Sequence, residues 1–171
     1  VTEHRTSIDL TRARAAGTEF VSISPMANDT EADLSASWLA PVPGTDVALM
    51  LGLAYVLETQ NLTATEFLRS HCVGYARVKD YLLGKTDGFA KTPRWASSIC
   101  GVPVDEIESL ARKMAGRRTF LTAAWSLQRG DHGEQPYWML VTLAAMLGQI
   151  GLPGGGFGFG YSAEAFVGTN Y

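Results

Sequence analysis

The side chains of this chain best equipped for chemistry gather in one polar segment. Trp125, Ser126, Gln128, Arg129, Asp131 and His132 stand between an apolar run, Thr119 to Trp125, and a long apolar helix pattern that begins near Glu134. A β-compatible run, a polar break and a helical pattern read as strand, loop and helix. In open α/β sheets ligands meet the chain where strands end and helices begin, so these six residues lie where a site would be. An ordinary connection whose polar groups face water is the other reading, and spacing alone favours it. A guanidinium such as that of Arg129 can pair bidentately with a phosphate or carboxylate, and a surface salt bridge fits it equally well.

Other motifs exclude more than they assign. His132, Gly133 and Glu134 form an H-x-E, but no P-C-x-x-C follows, which removes a deaminase-type zinc site. A histidine beside an acidic residue at a helix start reads as a capping or hydrogen-bonding group. There is no G-x-S-x-G elbow and no His, Cys and carboxylate cluster at ligand spacing. Gly151 to Gly160 (GLPGGGFGFG) lacks both the G-K-[ST] of a P-loop and the G-x-G-x-x-G spacing. Its alternating glycine and phenylalanine suit either close approach of a large flat ligand or a flexible connection with two anchoring rings. Asp46, near a helix start, is a cap or an acceptor for an amino or hydroxyl group.

The elements that must position these groups follow from periodicity and punctuation. Ser7 to Gly17 reads as a short helix, and Phe20 to Ser24 as a strand stopped by Pro25, with a polar segment, Met26 to Glu31, after it. Pro41 to Asp46 is turn chemistry, and Thr45 or Asp46 is placed to cap a helix from Val47 to Glu58 that is apolar on nearly every side. Thr63 and Glu66 fit a capping box for a helix through His71, and Gly74 to Leu83 reads as a helix closed by Gly84. Thr92 and Pro93 suit an N-cap and first helical position, with Gly101 ending that helix. Asp105 to Ala115 is amphipathic and ends at Gly116, and the last helix runs roughly from Glu134 to Gln149 with Pro136 in its first turn. Only two strands stand out, too few for a doubly wound sheet, so the chain reads as a segment of a larger protein.

Composition is that of a globular domain: 171 residues, 46% hydrophobic and 18% charged, with a formal net charge of -3 that gives no case for a nucleic-acid partner. Cys72 and Cys100 form no C-x-x-C pair and read as core thiols. The chain opens on Val1 without a charged and apolar leader, so no targeting signal is visible in it, and no stretch reads as a membrane span.

The run WSLQRGDHGEQPYWMLVTLAAMLGQIGLPGGGFGFGY, with VSISPMANDTEADL, PGTDVALMLGLA and YLLGKTDGFAKTPRWASSICGVP, resembles the molybdopterin oxidoreductases of the dimethyl sulfoxide reductase family. Within that family the likeness is to the S- and N-oxide reductases (biotin sulfoxide, trimethylamine N-oxide and dimethyl sulfoxide), in colinear order from about Phe20 to Tyr161. The resemblance implies an α/β fold: a Rossmann-like, three-layer, helix-rich segment, one partial domain over residues 1–171 of a multidomain molybdoenzyme. It implies a bis(molybdopterin guanine dinucleotide) molybdenum cofactor, with contacts from Ile23, Ser24 and Pro25, from Gly44, Thr45 and Asp46, and from Trp125, Ser126 and Arg129. His132 to Gln135 belong to the family's signature and are assigned to packing around the cofactor.

The implied reaction is oxygen-atom transfer from a sulfoxide or amine N-oxide, restored by two electrons and two protons. The implied partners are that substrate, an electron donor and the remainder of the parent enzyme. Members of this group attach the metal through a serine in a segment N-terminal to the region resembled, and this chain shows no counterpart of it. No catalytic residue and no metal ligand is therefore assigned here, and the segment alone is expected to be inactive. The biotin sulfoxide likeness implies the cytoplasm, whereas the other two enzyme groups are usually exported to the periplasm. A non-catalytic nucleotide-binding or structural α/β module is the alternative.

Overall fold

A computed structural model of the chain describes residues 6–29 and 34–159. Thr30 and Glu31 of the segment after Pro25, and everything from Gly160 on, lie outside the described residues. The chain adopts the helix-rich α/β class expected of it, in two compact units.

The smaller unit, residues 1–40 and 159–171 of the chain, holds α1 (Thr6–Ala15), β1 (Val21–Ile23) and β2 (Ser37–Leu39). β1 and β2 run parallel, with Val21 opposite Ser37, Ser22 opposite Trp38 and Ile23 opposite Leu39. β1 confirms the strand read before Pro25, while β2 was not legible, because three residues are too few to show an alternation. A short 3-10 turn, Ala27–Asp29, follows β1.

The larger unit, residues 41–158, is built around α2 (Asp46–Thr59). Its sequence DVALMLGLAYVLET carries no polar stripe, so water cannot be left on any long face of it. Leu49, Leu53, Ala54, Val56 and Leu57 are each at most 2% exposed. The partners that cover them are α5 (Pro93–Cys100), α6 (Val104–Ala115) and α7 (Gln135–Met146), with Ala96, Cys100, Ile107, Ala111, Leu143 and Met146 buried on the facing sides. Gly52 sets the separation of α2 from α5: a Cβ there would come within 2.6 Å of the Ala96 Cβ. α3 (Thr65–His71) packs on α7, and α4 (Tyr75–Leu82) on α2. β3 (Phe120–Ala123) pairs with β4 (Gly156–Phe159), a strand that the glycine-rich composition concealed.

Capping departs from expectation in two places. Thr45 is the N-cap of α2, but its hydroxyl donates to the Val42 carbonyl at 2.5 Å, and no side chain caps the helix. The expected capping box of α3 does not form either. The helix starts two residues after Thr63, behind Ala64, and Glu66 pairs instead with Arg69 at 2.6 Å. Thr92 does cap α5, accepting from the Trp95 N–H at 3.1 Å with Pro93 in the first turn. Gly116 ends α6 in right-handed geometry, so its value there is not a positive φ.

Two charged groups anchor α4. Lys91 is 1% exposed; its ammonium pairs with Asp87 at 2.6 Å, donates to the Phe89 carbonyl and lies over the Tyr81 and Trp95 rings, 4.2 and 5.4 Å from their centroids. A buried ammonium needs this many partners to offset its desolvation. Glu58, near the end of α2, accepts from the Tyr75 hydroxyl at 2.5 Å and pairs with Lys79. Burial pushes the Glu58 carboxyl up, but the hydrogen bonds from Lys79 and Tyr75 and the charge of Lys79 outweigh it and hold it below its ordinary value.

Gly52→Ala should destabilise the larger unit by about 1–3 kcal/mol, as overpacking does; Ala96→Gly added to it should return part of the loss, read by urea denaturation. Because the folded Glu58 value is depressed, its contribution is complete above the ordinary glutamate value of 4.5 and drains away as pH falls through the folded value. Glu58→Gln should therefore flatten the dependence of Tm on pH on that acid side.

Candidate functional site

The polar segment after β3 is a compact turn. A 3-10 helix spans Trp125–Arg129, immediately after Ala124, whose carbonyl accepts from the Leu127 N–H at 3.3 Å and from the Tyr137 hydroxyl at 2.8 Å. The last strand residues and the first turn of α7 are thus tied through one carbonyl. Trp125 is half-buried, while Ser126, Gln128 and Arg129 are exposed. Among the described residues no hydrogen bond or ion pair engages the Arg129 guanidinium or the Ser126 hydroxyl.

The turn is held from behind by a glycine. Gly133 is buried against the backbone of Gln128, and a Cβ on it would stand 2.5 Å from the Gln128 carbonyl carbon and 2.6 Å from its Cα. Within the H-G-E block the glycine alone is packed, and it lets the segment fold back on the turn. His132 reaches this geometry with a φ of 52° and keeps its ring in solvent, 3.9 Å from both Asp131 and Glu134.

Gly44, Thr45 and Asp46 open α2. Gly44 has a φ of 78° with no atom within 4 Å of where a Cβ would be, so the turn offers open space beside bare backbone. With Thr45 turned to Val42, the first N–H groups of a 14-residue helix lack a side-chain cap and present their partial positive charge outward. Asp46 stands at that start, where an acidic group is electrostatically favoured.

Ile23, Ser24 and Pro25 belong to the smaller unit. Ile23 is 43% exposed and Pro25 is exposed, but the polar groups of Ser24 are spent internally. Its N–H donates to Leu39 at 3.1 Å, its hydroxyl donates to Asp29 and accepts from the Met26 N–H at 3.3 Å, and its carbonyl accepts the Trp38 indole at 2.8 Å. Each unit thus carries its candidate residues on its own elements.

These features suit a large anionic ligand better than a metal ion. Among the described residues the Arg129 guanidinium and the Ser126 hydroxyl have no partner and the start of α2 has no side-chain cap, so these groups present donors. Among the described residues no group of three or more His, Cys, Asp or Glu is arranged to hold a metal, and no helix is long and apolar enough to cross a membrane. A groove of about 420 Å³ lies elsewhere on the larger unit, lined by Glu58, Arg69, Cys72, Tyr75 and Lys79 among others; it contains none of the candidate residues.

Residues 3–169 match the family model described as molybdopterin oxidoreductase. The chain belongs to the molybdopterin oxidoreductases. It is 51% identical over 148 residues to the trimethylamine-N-oxide reductase of Haemophilus influenzae, an alignment covering 86% of this chain and 18% of that protein. It is 47% identical over 161 residues to the dimethyl sulfoxide/trimethylamine N-oxide reductase of Rhodobacter capsulatus, covering 94% and 20%. The chain thus spans about a fifth of the length of these curated relatives. Acetylene hydratase from Pelobacter acetylenicus shares the fold, with a TM-score of 0.70 at 22% identity over 84% of this chain and 19% of that one. The family is one of molybdenum–pterin enzymes, and the Arg129 guanidinium and the uncapped start of α2 are each of a chemistry that suits an anionic group.

Gly133→Ala should push the Trp125–Arg129 turn out of place. The expected result is faster amide exchange across 125–129 with little change in α2, measured by hydrogen–deuterium exchange.

Proposed function

We propose that this chain is the part of a molybdenum-dependent S- or N-oxide reductase that grips one guanine dinucleotide of a bis(molybdopterin guanine dinucleotide) cofactor. One observation carries the reading: the Trp125–Arg129 turn, braced by Gly133 and Tyr137, holds a guanidinium and a hydroxyl toward solvent with no partner among the described residues. The likeness to the trimethylamine-N-oxide and dimethyl sulfoxide/trimethylamine N-oxide reductases supports the substrate class.

When bound, the molybdenum and its dithiolenes supply the oxygen-atom transfer and the two-electron chemistry. The work of this chain is binding and orientation. Arg129 pairs with a phosphate, bidentate geometry fixing direction as well as charge. Ser126 donates beside it, and the half-buried Trp125 supplies ring surface. Asp46 accepts from an amino or hydroxyl group, while the N–H groups at the start of α2 and the bare backbone of Gly44 receive an acceptor. Ile23, Ser24 and Pro25, on the smaller unit, are assigned to the cofactor by the family resemblance alone, since the polar groups of Ser24 are spent within that unit. This reading needs no residue of the chain as a general acid or base.

The substrate is a small sulfoxide or amine N-oxide, the electrons come from a separate donor, and the remainder of the parent enzyme supplies the metal ligand. We place the enzyme in the cytoplasm on the resemblance of the GFGFGY block to biotin sulfoxide reductases, a point that cell fractionation reads directly.

In the full-length enzyme Arg129→Ala should lower the affinity for molybdopterin guanine dinucleotide roughly 10- to 100-fold, the scale of a lost charged hydrogen-bonding pair. Pterin fluorescence after oxidation, with molybdenum by elemental analysis, measures it. Unchanged cofactor content in both Arg129→Ala and Trp125→Ala would sink the assignment, and tight binding of a nicotinamide cofactor would favour a different nucleotide-binding module.

A further inference from the structure

We infer that Gln149 is a positioning residue for the cofactor-binding turn, an inference that rests on the function proposed above. Gln149 is a buried polar side chain, 9% exposed, just past the end of α7. Both ends of its amide are used on backbone. Oε1 accepts from the Thr119 N–H at 2.6 Å, and Nε2 donates to the Arg117 carbonyl at 2.8 Å. Arg117 to Thr119 stand immediately before β3, outside its ladder. An amide that accepts from one residue and donates to another two positions away reproduces the bonding of a neighbouring strand. Gln149 therefore extends the pairing of a strand that, among the described residues, pairs with β4 alone.

The glycine-rich loop is shaped around the same side chain. A Cβ on Gly155 would lie 3.1 Å from Oε1 and 3.2 Å from the Cβ of Gln149, and one on Gly156 would lie 3.1 Å from the Gln149 carbonyl oxygen. Gly156 also has a φ of 83°, a conformation that a side chain would strain. The Arg118 guanidinium donates to the Pro153 carbonyl at 3.2 Å, tying the loop to the same stretch before β3. The glycines at 155 and 156 thus answer to Gln149 and the backbone beside it.

β3 is consequently held at both ends by α7 and its immediate extension. Tyr137, in the first turn of α7, holds the Ala124 carbonyl where β3 gives way to the turn, and Gln149 holds the other end. A strand of four residues clasped this way delivers Trp125, Ser126 and Arg129 at a fixed height above α7. If the clasp at Thr119 opens, β3 can slide or tilt, and the turn loses its place while α2 and its helices keep theirs.

Three variants of the full-length enzyme test this: Gln149→Leu, Gln149→Glu and, as the reference for the binding reading, Arg129→Ala. Gln149→Leu should raise amide exchange across 119–129 roughly tenfold, the size of one lost net hydrogen bond, and lower pterin content, with exchange in α2 unchanged. Gln149→Glu should show the same defect at neutral pH, where the carboxylate cannot donate to Arg117. It should recover protection and pterin retention in acid, where a protonated carboxyl again both donates and accepts; the wild-type enzyme measured alongside should show no such recovery. Should Gln149→Leu fail to fold, the glutamate variant and its recovery in acid decide alone.

Normal exchange over 119–129 in the Gln149 variants would overturn the inference. So would faster exchange with full pterin retention, provided Arg129→Ala loses pterin, because Gln149 would then be structural only. Full retention in Arg129→Ala as well would mean that the binding reading itself had failed, and the role given to Gln149 with it.

Discussion

The structure of the larger unit depends on hiding one helix. α2 has no face that water can wet without cost, and each of its fully buried leucines is worth about 1.5–3 kcal/mol out of water. Covering it requires α5, α6 and α7 at once, and Gly52 admits α5 closely enough for Ala96 to touch the α2 backbone. The same burial orients the start of α2, so the uncapped N–H groups behind Thr45 point where the core dictates.

The positions of α7 and of everything attached to it follow from that core. Leu143, Ala144 and Met146 face inward and fix its axis and rotation, which places Tyr137 at one end and Gln149 at the other. Those two side chains reach the backbone on either side of β3, and Gly133 closes the connection behind the turn. Burial energy, spent far from any ligand, is converted by a few directional hydrogen bonds into the placement of the half-buried Trp125 and the exposed Ser126 and Arg129. Exposed charges of this kind gain little from the fold itself, so their position must be imposed by neighbours that do.

The helices were legible because their signals are local. The apolar circumference of α2, the Thr92–Pro93 start of α5 and the amphipathic pattern of α6 each appear within one stretch of chain. β2 and β4 were not, one being too short to alternate and the other written in glycine and phenylalanine. The caps misled for a specific reason. Thr45 and Thr63 have the right side chains, but a hydroxyl is captured by whichever acceptor the tertiary fold brings nearest, and for Thr45 that is the Val42 carbonyl. Lys91 gave no warning of burial, since nothing in its own stretch announces that Tyr81, Asp87 and Trp95 will surround it.

The candidate site was legible in outline and ambiguous in meaning for the same physical reason. A polar strand-to-helix connection is visible in sequence, but whether it is a solvated link or a binding turn depends on what stiffens it. In a solvated link the residues behind the turn have no need to be glycine, and the end of the strand has no need for a buried amide. Here Gly133 leaves no room for a Cβ against Gln128, Tyr137 holds Ala124, and Gln149 clasps Arg117 and Thr119. Ser24 makes the contrast within the same chain: its polar groups are consumed by Asp29, Met26, Trp38 and Leu39, which orders a strand end but leaves less to offer a ligand. At the Trp125–Arg129 turn the backbone is ordered by other residues, so Ser126 and Arg129 keep their hydrogen-bonding capacity. That division between bracing residues and presenting residues is what preorganisation would require of the binding turn proposed above.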